Sequence, residues 1–247
     1  MLFNSLEYLF FLPTVFLFYW ILSNKKLHYQ NFLLLISSYF FYGWWDWRFL
    51  SLIILSTFVD YWMGLKIYSS NSITTKRKYL LISIIFNLSL LIFFKYCNFF
   101  IDSWVHLINY FGFTVKSLWT LNIILPVGIS FYTFQTMSYS LDIYYNKIKP
   151  TRNLIAFGAF VSFFPQLVAG PIERASNLLP QLLNKRQFNY DRAMQGLALL
   201  SWGLFKKVAV ADNISYFTND IFNNYSNYGS IILIIGAFFF SFQIYCD

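Results

Sequence analysis

The chain has 247 residues, 58% hydrophobic and only 11% charged, against roughly 45–50% and about 25% in an average soluble domain. That is too little charge to coat a water-facing globule, and Gly 10, Pro 6 and Cys 2 exclude collagen-like, disordered and disulfide-scaffold classes. The net charge of +8 lies in short basic clusters between apolar runs (Lys25–Lys26, Lys76–Arg77–Lys78, Lys147/Lys149/Arg152, Lys185–Arg186). Such clusters orient membrane segments by the positive-inside bias and do not form a nucleic-acid patch, so the composition predicts an all-α polytopic membrane protein.

In chain order, Met1–Asn24 turns apolar at once, with Glu7 where a signal peptide has basic residues and no small-residue cleavage site. It reads as a retained membrane helix with its N-terminus outside. Phe32–Trp45 and Trp47–Val59, divided by Gly43-Trp44-Trp45-Asp46-Trp47-Arg48, are each short for a crossing. They predict a helical hairpin or two short tilted helices with the Trp cluster at an interface. Tyr79–Phe94 is a charge-free helix, and Phe99–Phe111 carries Asp102, His106 and Asn109 at helical spacing against bulky apolar neighbours. That pattern suits a helix lying in the interface plane.

Ser117–Leu141 is charge-free, with Pro126 and Gly128 in its first half. Asn153–Ile172 follows, flanked on both sides by basic loops, Lys147–Arg152 and Arg174–Arg192. A simple crossing would put one loop on the wrong side. With Pro165 and Gly170-Pro171 present, the segment is expected to be re-entrant or broken, an irregularity tolerated only inside protein or along a water-filled cavity. Asn184–Arg192 reads as a polar loop. Ala193–Phe217 is apolar but interrupted by Lys206, Lys207 and Asp212, and Ile221–Cys246 is again charge-free.

Polar groups inside apolar runs are the strongest functional pointers, since a charge at the bilayer centre costs at least about 2.5–3.5 kcal/mol. Gln135, Ser138 and Asp142 share one helical face, which suits either a polar substrate cavity or interhelical hydrogen bonding with Asp142 ending the helix. The stretch Phe164–Arg174 places Gln166, Gly170, Pro171, Glu173 and Arg174 around a break whose freed backbone groups suit a ligand-facing broken helix, or an ordinary helix end with a Glu–Arg pair in water. Lys206 and Lys207 are candidates to attract a phosphorylated donor, or lysines that snorkel to the interface. Asp60 reads as a structural ion-pair partner of Arg48 or Lys66.

His28 and His106 both read as solvated, away from those polar residues. Cys97 and Cys246 read as free thiols with no metal or redox spacing. No nucleophile elbow, zinc site or phosphate loop occurs.

Six strings go further: Met1–Phe11 (MLFNSLEYLFF), Tyr39–Asp60 (YFFYGWWDWRFLSLIILSTFVD), Leu125–Asp142 (LPVGISFYTFQTMSYSLD), Phe163–Arg174 (FFPQLVAGPIER), Trp202–Asp212 (WGLFKKVAVAD) and Phe242–Asp247 (FQIYCD). In this order they resemble the membrane-bound O-acyltransferase (MBOAT) family, in its bacterial alginate O-acetyltransferase-like branch. The resemblance implies a bundle of short, tilted and re-entrant helices around a central cavity, set in the cytoplasmic membrane of a bacterium. It implies acetyl-CoA as acyl donor and substrate, with no bound cofactor or metal. It also implies an extracytoplasmic acetyl-transfer partner, an exported polysaccharide as acceptor, membrane lipids as surroundings and no nucleic acid.

On that resemblance Gln166, Gly170, Pro171, Glu173 and Arg174 line the acyl path. The family's catalytic histidine falls beyond Asp247, so residues 1–247 read as a single membrane-embedded domain, the N-terminal part of the fold, inactive alone. The other readings are a transporter or channel-like protein, or a non-catalytic fragment that needs a C-terminal partner.

Overall fold

In a computed structural model, which describes residues 1, 3–112, 125–167 and 170–247, every regular element is helical. Two compact units divide the chain: residue 1 with 12–186, and residues 2–11 with 187–247. Three helical stretches, Leu6–Asn24, Leu27–Ser69 and Ile73–Tyr110, are long and apolar enough to cross a membrane. The architecture is that of an all-α polytopic membrane protein.

In the first unit, α1 (Leu6–Ile21) contributes its residues from Leu12 onward, followed by α2 (Leu27–Asp46) and α3 (Leu50–Ser69). Each of α2 and α3 has 20 residues, about 30 Å of helix and a full hydrocarbon thickness. The expectation of two short halves is therefore corrected. Gln30, Asn31 and Asp60, which bound or follow the charge-free runs, are buried within the helices. Between α2 and α3 the backbone of Asp46 is extended (φ −160°), and its carboxylate accepts from the Arg48 amide at 2.9 Å and pairs with the Arg48 guanidinium at 2.6 Å. That local cap restarts the helix after the Trp cluster, whose Trp44, Trp45 and Trp47 are exposed, as interfacial indoles are.

α4 (Ile73–Leu91) takes Lys76–Arg77–Lys78 into its first turns and passes through a π-helical turn, Ile92–Tyr96, into α5 (Cys97–Tyr110). No residue of α5 is buried, and α4, the π-helical turn and α5 together form the apolar stretch Ile73–Tyr110. Of the Ser117–Leu141 run, residues 117–124 lie outside the described residues. The described part forms α6 (Ile129–Tyr144).

α7 (Leu154–Val161) spans only 8 residues, with Ala156–Val161 wholly buried. At about 12 Å it cannot cross a bilayer, and it is enclosed by protein, the condition under which broken backbone at membrane depth survives. α8 (Phe164–Leu167) and α9 (Ala175–Leu183) complete the unit. The core is built where α3 packs on α4 and α6, and α2 on α7. Tyr139 and Phe157 rings meet at 4.5 Å between α6 and α7. Gly64 lets α3 press on α6, since a Cβ there would lie 2.7 Å from the Tyr139 ring, the close approach that small residues allow between membrane helices.

The second unit holds α10 (Tyr190–Phe205), a π-helical segment Lys206–Ala211, α11 (Asp212–Asn223) and α12 (Ser230–Cys246). The charge-free run from Ile221 is interrupted at residues 224–229, and α11 and α12 pack through Gly236, where a Cβ would lie 2.9 Å from Ile221.

Candidate functional site

The break between α7 and α8 is anchored on both sides. Asn153 caps the start of α7 by accepting from the Ala156 amide at 3.1 Å, and the Ser162 hydroxyl donates back to the Gly158 carbonyl at 2.8 Å as the helix ends. The Phe164 amide, freed by the break, donates to Ser38 on α2 at 3.2 Å, and its ring packs on Phe41 at 5.7 Å. On the other side Gly128 holds a left-handed conformation (φ 76°) against the Leu167 carbonyl, with no room for a Cβ. The Gln135 amide donates to the Phe160 carbonyl at 2.9 Å. The end of α2, the start of α6 and the broken segment therefore converge.

At this junction the Tyr42 hydroxyl on α2, the Tyr132 and Thr133 hydroxyls on α6 and the Gln166 Oε1 on α8 are buried without a hydrogen-bond partner among the described residues. Buried polar groups in proteins are nearly always paired, and in hydrocarbon an unpaired one costs several kcal/mol. These four atoms, on α2, α6 and α8, are candidates to meet polar groups of a ligand. Gln166 was legible from the Phe164–Arg174 motif. Tyr42, Tyr132 and Thr133 were not, because nothing in an apolar run distinguishes an unpartnered tyrosine from an interfacial one.

The other expected site residues distribute as follows. Gln135 is buried and spent on Phe160, and Ser138 bonds to the Gln135 carbonyl of its own helix at 2.8 Å. Asp142 sits 3.9 Å from the Lys147 ammonium, while its carbonyl accepts from the Lys147 amide at 2.8 Å as α6 ends. Gly170 has φ 144°, Pro171 and Arg174 are exposed, and Glu173 accepts from Asn177 at 3.4 Å. Residues 168 and 169 of the motif lie outside the described residues.

In the second unit Lys207 is paired with Asp212 at 3.0 Å and also with Asp247, whereas Lys206 lies 5.7 Å from the Tyr245 ring centre. His28 and His106 are both exposed.

Asp60 is the clearest correction. It pairs with neither Arg48, which is held by Asp46, nor Lys66. Fully buried, it accepts from Ser83, from Ser140 at 3.3 Å and from Asn87 at 2.7 Å. Ser56 and Thr136 donate to the other end of the Asn87 amide, at 2.8 and 3.3 Å. The signal was present: Ser56/Asp60, Ser83/Asn87 and Thr136/Ser140 are three i, i+4 polar pairs on α3, α4 and α6, each one stripe of one helix face.

A cavity of the first unit, about 260 Å³, is lined by residues of α1, α2, the α7–α8 break and α9, with Arg186. Its lining is apolar except at one end, where Tyr19, Gln181 and Arg186 gather.

Comparison with known proteins gives a consistent picture. No family model and no solved structure matches the chain. Over its whole length it is 38% identical to the probable alginate O-acetylase AlgI of Pseudomonas aeruginosa and 37% identical to that of Azotobacter vinelandii, covering 46% and 48% of those proteins. It is 35% identical to the peptidoglycan O-acetyltransferase of Helicobacter pylori, covering 51% of it. The chain thus spans about half the length of the curated relatives it matches. From its first residue to its last, the chain, a helical membrane protein, is thus similar to about half of each of these O-acetylases.

Proposed function

We propose that the chain is the N-terminal membrane part of an O-acetyltransferase of a bacterial cytoplasmic membrane, which passes an acetyl group from acetyl-CoA to hydroxyls of an exported polysaccharide. The observation that carries this reading is the similarity, across all 247 residues, to proteins named as O-acetylases. The unpartnered polar atoms of Tyr42, Tyr132, Thr133 and Gln166 support it.

In such a transfer the acceptor oxygen attacks the thioester carbonyl carbon, the C–S bond breaks, and the hydroxyl proton leaves to a base. The thiolate is then released. Tyr132, Tyr42 and Thr133 carry hydroxyls able to donate to an acyl oxygen, and Gln166 Oε1 accepts from an acceptor hydroxyl. Gly170, Pro171, Glu173 and Arg174 extend the same path. Lys206 is the better donor-phosphate candidate of the lysine pair, because Lys207 is already bracketed by two carboxylates. Both histidines are exposed, and on this reading the base is supplied from outside residues 1–247. Residues 1–247 alone therefore do not turn over, and an extracytoplasmic partner completes transfer to the polymer.

The test uses inverted membrane vesicles containing the full-length gene product, labelled acetyl-CoA outside, and polymannuronate or peptidoglycan strands as acceptors. Alkali-labile label on either polymer is the expected result. Passage of solute without acyl transfer would favour a transporter and overturn the reading, and label transferred by residues 1–247 alone would overturn the claim of inactivity.

A further inference from the structure

Arg186 has an unusual set of partners. Its Nε donates to the Gln181 carbonyl at 2.9 Å, Nη1 to the Tyr19 hydroxyl at 2.7 Å, and Nη2 to the Leu182 carbonyl at 3.0 Å and to Asn31. Every acceptor is neutral. Among the described residues no carboxylate lies within ion-pair distance of the guanidinium. The carbonyls at the end of α9 give partial compensation, as helix C-termini do for cations, but the full charge has no counter-ion. Four of its five N–H groups are used, so one Nη1 hydrogen remains to be donated. The side chain is thereby fixed in place, with one donor direction and its charge still on offer.

This guanidinium sits at one end of the 260 Å³ cavity. Leu12, Val15, Phe16 and Tyr19 of α1 recur at i, i+3, i+4 and i+7 along the cavity wall, so the space follows the helix for about 10 Å. Leu34 and Leu178 line it from α2 and α9, and Phe164 and Pro165 line it from the break. Ligand pockets run to roughly 300–1,000 Å³, so this one takes a length of acyl chain and not a whole lipid. Its outer wall, α1, has almost no residue buried in the fold and is thus open to the bilayer. Lys185 adjoins Arg186 in sequence, and the exposed Lys25 and Lys26 open α2 just ahead of Asn31. The charged end of the cavity therefore belongs to a basic rim, and its apolar body to the membrane interior.

The geometry points to a binding site for one anionic glycerophospholipid, its phosphate held by Arg186 with Lys185, Lys25 and Lys26 at the rim and an acyl chain lying along α1. A zwitterionic lipid offers the same chain but a compensated headgroup, and an inorganic phosphate offers the charge without the chain. Charge complementarity on one end and an apolar trough on the other select the anionic lipid over both. This site is separate from the acetyl-transfer reading, and its test reads lipid, not acetylation.

The full chain in detergent is titrated with spin-labelled phosphatidylglycerol and, separately, phosphatidylcholine, and the motionally restricted fraction is followed by electron paramagnetic resonance. Phosphatidylglycerol is expected to bind more tightly, by about fivefold for each basic residue engaged. Arg186→Gln should remove most of that preference. Val15→Phe, which fills the trough and leaves the guanidinium in place, should weaken both lipids together. Circular dichroism on each variant checks that the helices persist, and the Val15→Phe arm decides the matter where Arg186→Gln fails to fold. Equal binding of the two lipids by the unaltered chain would overturn the proposal. So would full retention of the preference in folded Arg186→Gln, or displacement of the lipid by millimolar inorganic phosphate alone.

Discussion

The side-chain amide of Asn87 donates to Asp60 at 2.7 Å while its carbonyl oxygen accepts from Ser56 and Thr136, so one α4 residue ties a buried carboxylate on α3 to α6. Among the described residues no cation comes within ion-pair distance of Asp60. The group is met by hydroxyl and amide dipoles only. Losing a hydrogen bond to a buried charged group typically costs about 1.5–3 kcal/mol, whereas an amide in place of the carboxyl removes the charge and keeps an oxygen acceptor at nearly constant volume. Asn87→Leu is accordingly expected to destabilise the fold by about 3 kcal/mol, and Asp60→Asn by less than about 1 kcal/mol. Thermal unfolding of the detergent-solubilised variants, followed by circular dichroism, separates them. Equal losses would mean that the carboxylate itself organises the three helices.

Gly128 allows a second contrast. Its left-handed φ of 76° would cost an L residue about 1–2 kcal/mol, and a Cβ would run into the Leu167 carbonyl, which is backbone and cannot swing away. Gly128→Ala is expected to lose more than about 2 kcal/mol and to loosen the seat of the broken segment. Gly196, inside α10 with open space around it, should behave oppositely, Gly196→Ala gaining roughly 0.5–1 kcal/mol. Limited proteolysis between α7 and α9, together with unfolding midpoints, reads both effects.

Lys207 bridges Asp212 and Asp247, with all three side chains one-third to one-half exposed. Pairs this wet contribute about 0–1 kcal/mol each and weaken with salt. Lys207→Gln is expected to lower stability by no more than about 1 kcal/mol at low salt and by less at 1 M salt. Lys206→Gln, which removes only a cation held near a tyrosine ring, should leave stability unchanged and raise the KM for acetyl-CoA. A larger KM effect from Lys207→Gln than from Lys206→Gln would reverse the assignment of the donor-phosphate lysine.

What the sequence made legible follows from which interactions are local. Composition and charge placement define the membrane class, because hydrocarbon tolerates so few charges. Pro165 and Gly170-Pro171 announce the broken segment, because prolines and positive-φ glycines act on their own backbone. The partners of Asp60 were assigned to Arg48 and Lys66 on nearness in the chain, whereas Asn87 and Ser140 lie 27 and 80 positions away. Only the repeated i, i+4 polar pairs hint at them. Arg186 read as one more positive-inside residue, since its neighbours Tyr19 and Asn31 are more than 150 positions distant. The helix lengths of α2 and α3 were underestimated for the same reason. A polar residue ends a run in sequence, but in the fold a partner on another helix carries it inside.

The junction itself gives the last prediction. Tyr132 and Gln166 each hold a buried polar atom without a partner among the described residues, so their stability and transfer effects should separate. Tyr132→Phe deletes the hydroxyl and keeps the ring; with no hydrogen bond lost, stability is expected to hold or rise by about 1 kcal/mol. Gln166→Met keeps the length of the side chain and removes the amide, with the same expectation. A residue kept only for packing would show nothing further. If instead these atoms meet the acyl or acceptor oxygen, each variant loses a hydrogen bond formed in the reaction, about tenfold in acetyl transfer. Ser140→Ala is the control: it removes a paired hydroxyl of the Asp60 network, so it should cost stability without a separate loss of turnover. Unfolding midpoints and label transfer in the vesicle assay are measured on the same preparations. Unchanged transfer in both Tyr132→Phe and Gln166→Met would remove the junction from the acyl path and leave the unpartnered atoms as a property of the fold alone.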